Sequence, residues 1–280
     1  MKWGVEQRLS FIEIRLYWEG HINRKDLMSR FGISIPQASS DLRKYQELAP
    51  DNIKYDKSGK FYYASKNFKP KFISPNTDDY FAQLHLIAND VIQKDESFLS
   101  TVPEFDIAPH PERSVEMVIL QKVIKAIKGR RALEIEYQSM SQPDPSMRWI
   151  TPHAFGNDGF RWHVRAFCHN EQIFKDFILG RIIAIWREKF HEIDTADDIL
   201  WQQYIMVKIA PHPELSNSQK EIIERDYGME NGIAKINLRA SFVFYIIKRL
   251  GLVEGHEKKS PNEQHIVLIN RDEIETNLEQ

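Results

Sequence analysis

The stretch Asn23–Tyr45, NRKDLMSRFGISIPQASSDLRKY, decides how the first part of this chain is read. Asn23 can cap a short helix that runs to Phe31, and Gly32 supplies the left-handed residue that ends it. Ser34 can cap a second helix, with Pro36 in its first turn, where a missing N–H costs little. Ile35, Ala38, Leu42 and Tyr45 then share one stripe, which leaves Gln37, Ser40, Arg43 and Lys44 on the opposite side. The pattern implies a buried face and a polar, basic face.

Upstream, VEQRLSFIEIRLYWEG repeats Leu9, Ile12 and Leu16 at helical spacing, and Gly20 is a natural stop. Downstream, NIKYDKSGKFYYAS places two runs rich in Tyr, Phe and Ile around Lys57, Ser58 and Gly59, the pattern of a β-hairpin. Helix, helix, tight turn, helix and hairpin is the order of a winged helix-turn-helix. Its third helix fits a major groove, where Arg and Gln side chains form paired hydrogen bonds to base edges. Gln37, Ser40, Arg43 and Lys44, with Ser34 and Ser39, are the candidate DNA contacts on that helix. Lys57 and Lys60 at the wing, and Arg24 and Lys25 at the start of the second helix, suit phosphates. Helix-turn-helix shapes also dock proteins, and the charge distribution weighs between the two. Residues 1–72 carry 14 Lys and Arg against 8 Asp and Glu, whereas the remainder carries 24 against 32. A basic head on an acidic body favours a polyanion as the partner of the head.

The chain of 280 residues, 42% hydrophobic and 28% charged, has the composition of a soluble globular protein of about two domains, with room for a small third. No apolar run reaches the length of a membrane span, and MKWGVEQRLS lacks the apolar segment of a signal peptide. The single cysteine, Cys168, excludes an internal disulfide framework and a cysteine-rich zinc site. A reducing cytoplasm is the expected location, and no cofactor or metal is expected.

Past the hairpin, KPKFISPNTDD reads as a linker, and DDYFAQLHLIANDVIQKD as a helix with Phe81, Leu84 and Ile87 on one face, bridging two domains. His85 reads as an ordinary helix-face histidine. A near-repeat, IAPHPERS at 107–114 and IAPHPELS at 209–216, marks two extended entries into capped helices. A metal held between His110 and His212 lacks the supporting carboxylates or cysteines. From 116, one helix (VEMVILQKVIKAIKGR) precedes closely spaced strand patterns, ALEIEYQS, RWITPHAFG, FRWHVRAF and IFKDFILGRIIAIW, which implies a small, strongly curved or barrel-like sheet. After HEIDTADDILWQQ, strands YIMVKIA, IAKINLR and QHIVLIN alternate with helices SQKEIIERDYG and FVFYIIKRLG, an α/β domain of ferredoxin-like flavour.

Within Gly159–Phe167, GFRWHVRAF, alternation puts Phe160, Trp162, Val164 and Ala166 on one strand face and Arg161, His163 and Arg165 on the other. TPHAFGNDGFRWHVRAF and FILGRI resemble the strands of the bacterial WYL-domain transcriptional regulators, and the resemblance covers the whole chain. Trp162, His163 and Val164 stand where the family shows Trp-Tyr-Leu. RWHVRA with these flanks is most similar to the subgroup that represses phage-defence operons of the BREX and CBASS types. The resemblance implies an α+β multidomain chain: a winged helix-turn-helix at 1–70, a linker with a bridging helix at 71–117, a Sm-like β-barrel WYL domain at 118–200, and a C-terminal ferredoxin-like WCX domain at 201–280.

In the family, the non-core face of this strand lines a basic pocket that senses a ligand, single-stranded nucleic acid for some members. The matching positions are His163, Arg165 and Arg181, with Ser139, Ser141 and His153 as neighbours, whereas Arg161 is expected to face solvent. Two arginines suit phosphate oxygens, serine hydroxyls add neutral hydrogen bonds, and Phe155 or Phe167 suits base stacking. Tyr137 and Trp162 are expected in the core. The leading reading is a homodimeric repressor that binds pseudo-palindromic double-stranded operator DNA and is relieved by a nucleotide or single-stranded nucleic-acid effector. A WYL-type activator responding to single-stranded DNA after damage is the alternative. An enzyme is disfavoured, since no carboxylate set for a metal, Gly-x-Ser-x-Gly, phosphate loop or Cys–His pairing is present.

Overall fold

The computed structural model describes residues 3–94, 97–99, 102–108, 111 and 114–278. The chain divides into two units, Met1–Pro109 and His110–Gln280.

The first unit opens with helix α1 (Trp3–Glu19), ended by Gly20 at φ +77°, and a short strand β1 (His21–Ile22). Helix α2 (Arg24–Phe31) starts on a full capping box: Asn23 Oδ1 accepts from Lys25 N and Asp26 N, while Asp26 accepts from Asn23 N. Gly32 ends it in the left-handed conformation. Helix α3 (Ile35–Leu48) is capped by Ser34, and its buried face is Ala38, Asp41, Leu42 and Tyr45. Ile35, expected on that face, is 54% exposed, because at the first helical position it precedes the turn that reaches the core.

Strands β2 (Ile53–Asp56) and β3 (Phe61–Ala64) form the expected hairpin, and β1 pairs with β3 to complete a three-stranded antiparallel sheet. Asp56 holds the tip by accepting from Ser58 N and Ser58 Oγ. The core gathers Leu9, Ile12, Leu16, Ile22, Leu27, Leu42, Tyr45 and Ile53. Helix α4 (Thr77–Ala88), expected to bridge domains, belongs to this unit; it buries Leu84 and Ile87, but Phe81 is exposed.

A charged residue that periodicity misses sits in this core. Glu13 is fully buried and accepts hydrogen bonds from Tyr45 Oη at 2.9 Å and from the backbone N–H groups of Lys71, Phe72 and Ile73 at 2.6–3.1 Å. Asn52 joins it, donating to Tyr45 Oη and to Lys69 O. The carboxylate thus fastens the segment leaving the wing onto α1 and α3. Glu13→Ala should leave four donors without their acceptor and destabilise this unit by about 2–3 kcal/mol, read as a lower thermal midpoint by circular dichroism.

The second unit starts with α5 (Met117–Gly129), whose Ile119, Val123 and Ala126 pack on a five-stranded sheet. Its strands are β4 (Arg131–Tyr137), β5 (Ser146–Asn157), β6 (Trp162–Cys168), β7 (Ile173–Ile178) and β8 (Ile182–Phe190), ordered β7-β6-β5-β4-β8 and antiparallel throughout. A one-turn 3-10 segment, Leu179–Arg181, splits IFKDFILGRIIAIW and carries the chain from one edge of the sheet to the other. Irregularities in register at Glu134/Ile135, Glu136/Tyr137 and Pro152/Ala154 mark bulges, which bend strands. No closed barrel is found: β7 and β8 remain edges with no pairing between them among the described residues.

Helix α6 (Ile199–Gln202) leads into β9 (Tyr204–Pro211), α7 (Asn217–Asp226), β10 (Ala234–Arg239), α8 (Val243–Arg249), β11 (Ile266–Leu268) and α9 (Arg271–Leu278). The expected alternation of strands and helices is present. The sheet, ordered β10-β9-β11, has three described strands, one fewer than the β-α-β-β-α-β ferredoxin-like pattern. Ile205, Val207 and Ile209 of the central strand point into its core. His212 is buried, its Nδ1 accepting from Glu214 N at 3.3 Å; His110 lies outside the described residues. No cluster of metal-ligating side chains occurs among the described residues, and none of their helices is long and apolar enough to cross a membrane.

Candidate nucleic-acid interface and cationic cavity

In the first unit, the side of α3 away from the core carries Gln37, Ser40 and Arg43 exposed, with Ser39 and Lys44 half-buried. Ser34 is committed to capping, its Oγ accepting from Gln37 N at 3.4 Å. Arg24 and Lys25 are exposed on the first turn of α2, as are Lys57 and Lys60 at the hairpin tip, where Lys60 adopts φ +58°. The structure therefore puts Arg24, Lys25, Gln37, Ser40, Arg43, Lys57 and Lys60 on exposed parts of the helix-turn-helix and wing, and Ser39 and Lys44 at their margin. Asp41 is the unexpected member. It is 2% exposed, accepts from Arg8 Nε at 2.6 Å and Arg8 Nη2 at 3.3 Å, and takes Gln37 Nε2 at 3.0 Å.

In the second unit the basic face of GFRWHVRAF is covered, contrary to the expectation that it lines an open pocket. Residues 163–166 of β6 are buried on both faces, because α6 and α8 cover the basic side. Arg165, expected to await a ligand, is held by native carboxylates: Nε and Nη2 donate to Asp198 at 2.8 and 2.7 Å, and Nη1 reaches Asp176 at 3.3 Å. His153 donates from Nε2 to the same Asp198 at 2.9 Å and sits edge-on to Phe174 and Trp201. Asp198 also accepts from Trp201 N as the cap of α6. Burial alone would raise the Asp198 carboxyl, but the bonds from Arg165 and His153 outweigh it and pull the pKa down to about 2.

Other expected ligand contacts are also placed elsewhere. Ser139 and Ser141 bond each other at 2.7 Å in the loop after β4, and Phe155 packs on the sheet core. Phe167 stacks edge-on with Phe174 and His169. Trp162 is 56% exposed, because β6 begins there, before the strand enters the core. Tyr137 is buried as expected, and its hydroxyl accepts from Ile178 N at 3.2 Å.

A cavity of about 600 Å³ opens beside these groups, between the β5–β6 turn, β7, the Leu179–Arg181 turn and α8. His163 and Arg181 line it, joined by Arg161, which was expected to face solvent, by Lys248 and Arg249 as further cations, and by Phe160, Phe244 and Tyr245 as aromatic wall. Its two carboxylates are already engaged. Asp158 accepts from His163 Nε2 at 2.9 Å and from the N–H groups of Phe160 and Arg161, and Asp176 accepts from Arg165 and from Tyr245 Oη at 3.1 Å. Burial works to raise Asp158, yet these bonds leave its pKa below the usual carboxylate value. The guanidinium and ammonium groups of Arg161, Arg181, Lys248 and Arg249 pair with no carboxylate among the described residues. Arg161 Nε and His163 Nδ1 are buried without a hydrogen-bond partner there.

Two glycines leave room for side chains at either end of α8. A Cβ on Gly159, which holds φ +91°, would sit 2.3 Å from Arg249 Nη1, and one on Gly156 would sit 2.4 Å from Phe242 Cζ. With Arg249 also lying 5.8 Å from the Phe160 ring, the far wall of the cavity belongs to the last part of the chain. The arrangement suits an anion with an apolar or aromatic portion.

Three family models match in succession: the BrxR transcriptional regulator winged helix-turn-helix domain over residues 4–86, the WYL domain over 118–185, and the BrxR transcriptional regulator C-terminal dimerization domain over 204–274. A DNA-binding transcriptional repressor CapW from Stenotrophomonas maltophilia is 38% identical over 98% of this chain and 92% of its own length. The chain belongs to the WYL-domain regulators of the BrxR and CapW type. Repressors of the same name from Escherichia coli (strain KTE188) and Pseudomonas aeruginosa are each 37% identical, over 100% and 98% of this chain and 93% and 91% of their own lengths. A solved structure of proteasome accessory factor B/C of Arthrobacter aurescens aligns with 98% of this chain and 46% of that one, at 13% identity and a TM-score of 0.30.

For this WYL regulator, the sequence signal for the missed cavity residues was weak. Lys248 and Arg249 close FVFYIIKRLG and read as ordinary basic residues at a helix C-terminus. Only their return to β6, some eighty residues away in sequence, makes them part of the cavity.

Proposed function

We propose that this chain is a homodimeric, sequence-specific DNA-binding transcriptional repressor, of a phage-defence operon, whose effector is a nucleotide or short single-stranded nucleic acid taken up by the cationic cavity. The observation that carries the effector reading is the set of four cations without carboxylate partners among the described residues, around a cavity separate from the winged helix. The C-terminal dimerization match supports two copies, and a two-fold axis would pair two winged helices on a pseudo-palindrome.

The same cavity supplies a route for regulation. Arg161 and Arg181 stand on the β-sheet side, and Lys248 and Arg249 stand on α8, which belongs to the dimerization region. An anion bridging the two sides would draw them together. The bonds Tyr245–Asp176, Asp176–Arg165 and Arg165–Asp198 run from α8 through β7 and β6 to the start of α6. The effector shifts operator affinity only by as much as it prefers one arrangement of these elements over the other.

The DNA-binding half is tested at Arg43, which is exposed on α3. Arg43→Ala should weaken binding to a duplex containing the chain's own upstream DNA by roughly 10- to 100-fold and flatten base preference, measured by fluorescence anisotropy. Unchanged affinity would remove Arg43 from the reading face.

A further inference from the structure

We infer that Gln37 reads an adenine in each operator half-site, and that Asp41 and Arg8 are positioning residues that present its amide for that purpose. The inference rests on the DNA-binding reading and names what one side chain of that interface recognises. Gln37 is the third residue of α3, and the N-terminal residues of a recognition helix are the ones that meet base edges. Its side chain is exposed, yet its amide is not free to turn: Nε2 donates to Asp41 Oδ1 at 3.0 Å.

A carboxylate only accepts, so this bond fixes which end of the amide is nitrogen. Nε2 has two hydrogens. One is spent on Asp41, which leaves one N–H for a base and Oε1, for which no donor occurs among the described residues. An adjacent acceptor and donor in one plane is the pattern that matches adenine N6–H and N7. Guanine offers two acceptors on that edge, and meets Oε1 with repulsion.

The buttress is itself anchored. Asp41 is 2% exposed, a position in which a carboxylate needs compensation, and Arg8 supplies it through Nε at 2.6 Å and Nη2 at 3.3 Å. Because Arg8 comes from α1, the amide is fixed relative to the whole helical core rather than to its own helix alone. Ordering the side chain before DNA arrives removes the rotamer loss that a free glutamine would suffer on binding.

Selection of bound duplexes from a random-sequence pool by the full-length protein tests this, followed by anisotropy titrations on the selected duplex. Wild type should enrich a motif with one adenine per half-site whose replacement by 7-deazaadenine, which lacks N7, weakens binding roughly tenfold or more. Gln37→Ala should bind natural and 7-deaza duplexes alike and lose preference at that position only. Asp41→Asn should blunt the same preference while the remaining motif positions stay unchanged, a readout that general loss of stability would not move. The analogue scan on wild type stands even if Asp41→Asn fails to fold. A motif with no 7-deaza-sensitive adenine, or one kept intact by Gln37→Ala, overturns the inference and leaves the DNA-binding reading in place; enrichment of no motif at all removes both.

Discussion

Asp198→Ala should destabilise the second unit by roughly 3–5 kcal/mol, the usual cost of removing one member of a buried ion pair. The residue is 1% exposed and satisfies Arg165, His153 and Trp201 N together. Its loss leaves the Arg165 guanidinium, 4% exposed, with Asp176 alone at 3.3 Å. Urea denaturation followed by tryptophan fluorescence should show the lowered midpoint, since Trp201 caps onto the same group. Arg165→Ala should destabilise in the same way, so loss of effector response in that variant would report unfolding and not ligand contact.

The same carboxylate sets a pH dependence. Its folded pKa, about 2, lies below the ordinary carboxylate value, so its contribution is complete above about pH 4 and disappears as pH falls through about 2. That contribution is of order 1–2 kcal/mol after allowance for screening. Asp198→Asn should therefore narrow the gap in stability between pH 5 and pH 2 relative to wild type.

The helix-turn-helix was legible because its signals are local. Asn23, Gly32, Ser34 and Pro36 each act within four residues of themselves, and the structure places every one as a cap or first-turn residue. The strands after 130 were legible as strands, but not that their sheet stays open, which depends on how the Leu179–Arg181 turn redirects the chain. The basic stripe on β6 misled for a physical reason: alternation says which residues share a face, not what covers that face. Asp158, Asp176 and Asp198 neutralise His163 and Arg165, and each carboxylate comes from a different segment. Arg161, expected in solvent, ends in the cavity because the turn at Asp158 folds it under α8.

Two of the cavity's arginines, Arg161 and the expected Arg181, give the second large effect. Arg161→Glu with Arg181→Glu should reduce affinity for a 5′-phosphorylated dinucleotide at least about 100-fold, since two charge-assisted contacts are lost and two repulsions gained. Both side chains line the cavity without a carboxylate partner among the described residues, so the double variant should keep its thermal midpoint. Isothermal titration calorimetry separates the outcomes. Ser139→Ala and Ser141→Ala should leave that affinity unchanged, because the two hydroxyls satisfy each other outside the cavity.

The measurement that bears most directly on a repressor with a separate anion sensor is operator affinity, by anisotropy, with and without a saturating short phosphorylated oligonucleotide. Wild type should release the duplex when the oligonucleotide is present, and the Arg181→Glu, Arg249→Glu variant should bind the duplex equally well in both conditions. An oligonucleotide that leaves wild-type affinity unchanged, or that releases the variant as readily as wild type, would contradict the account.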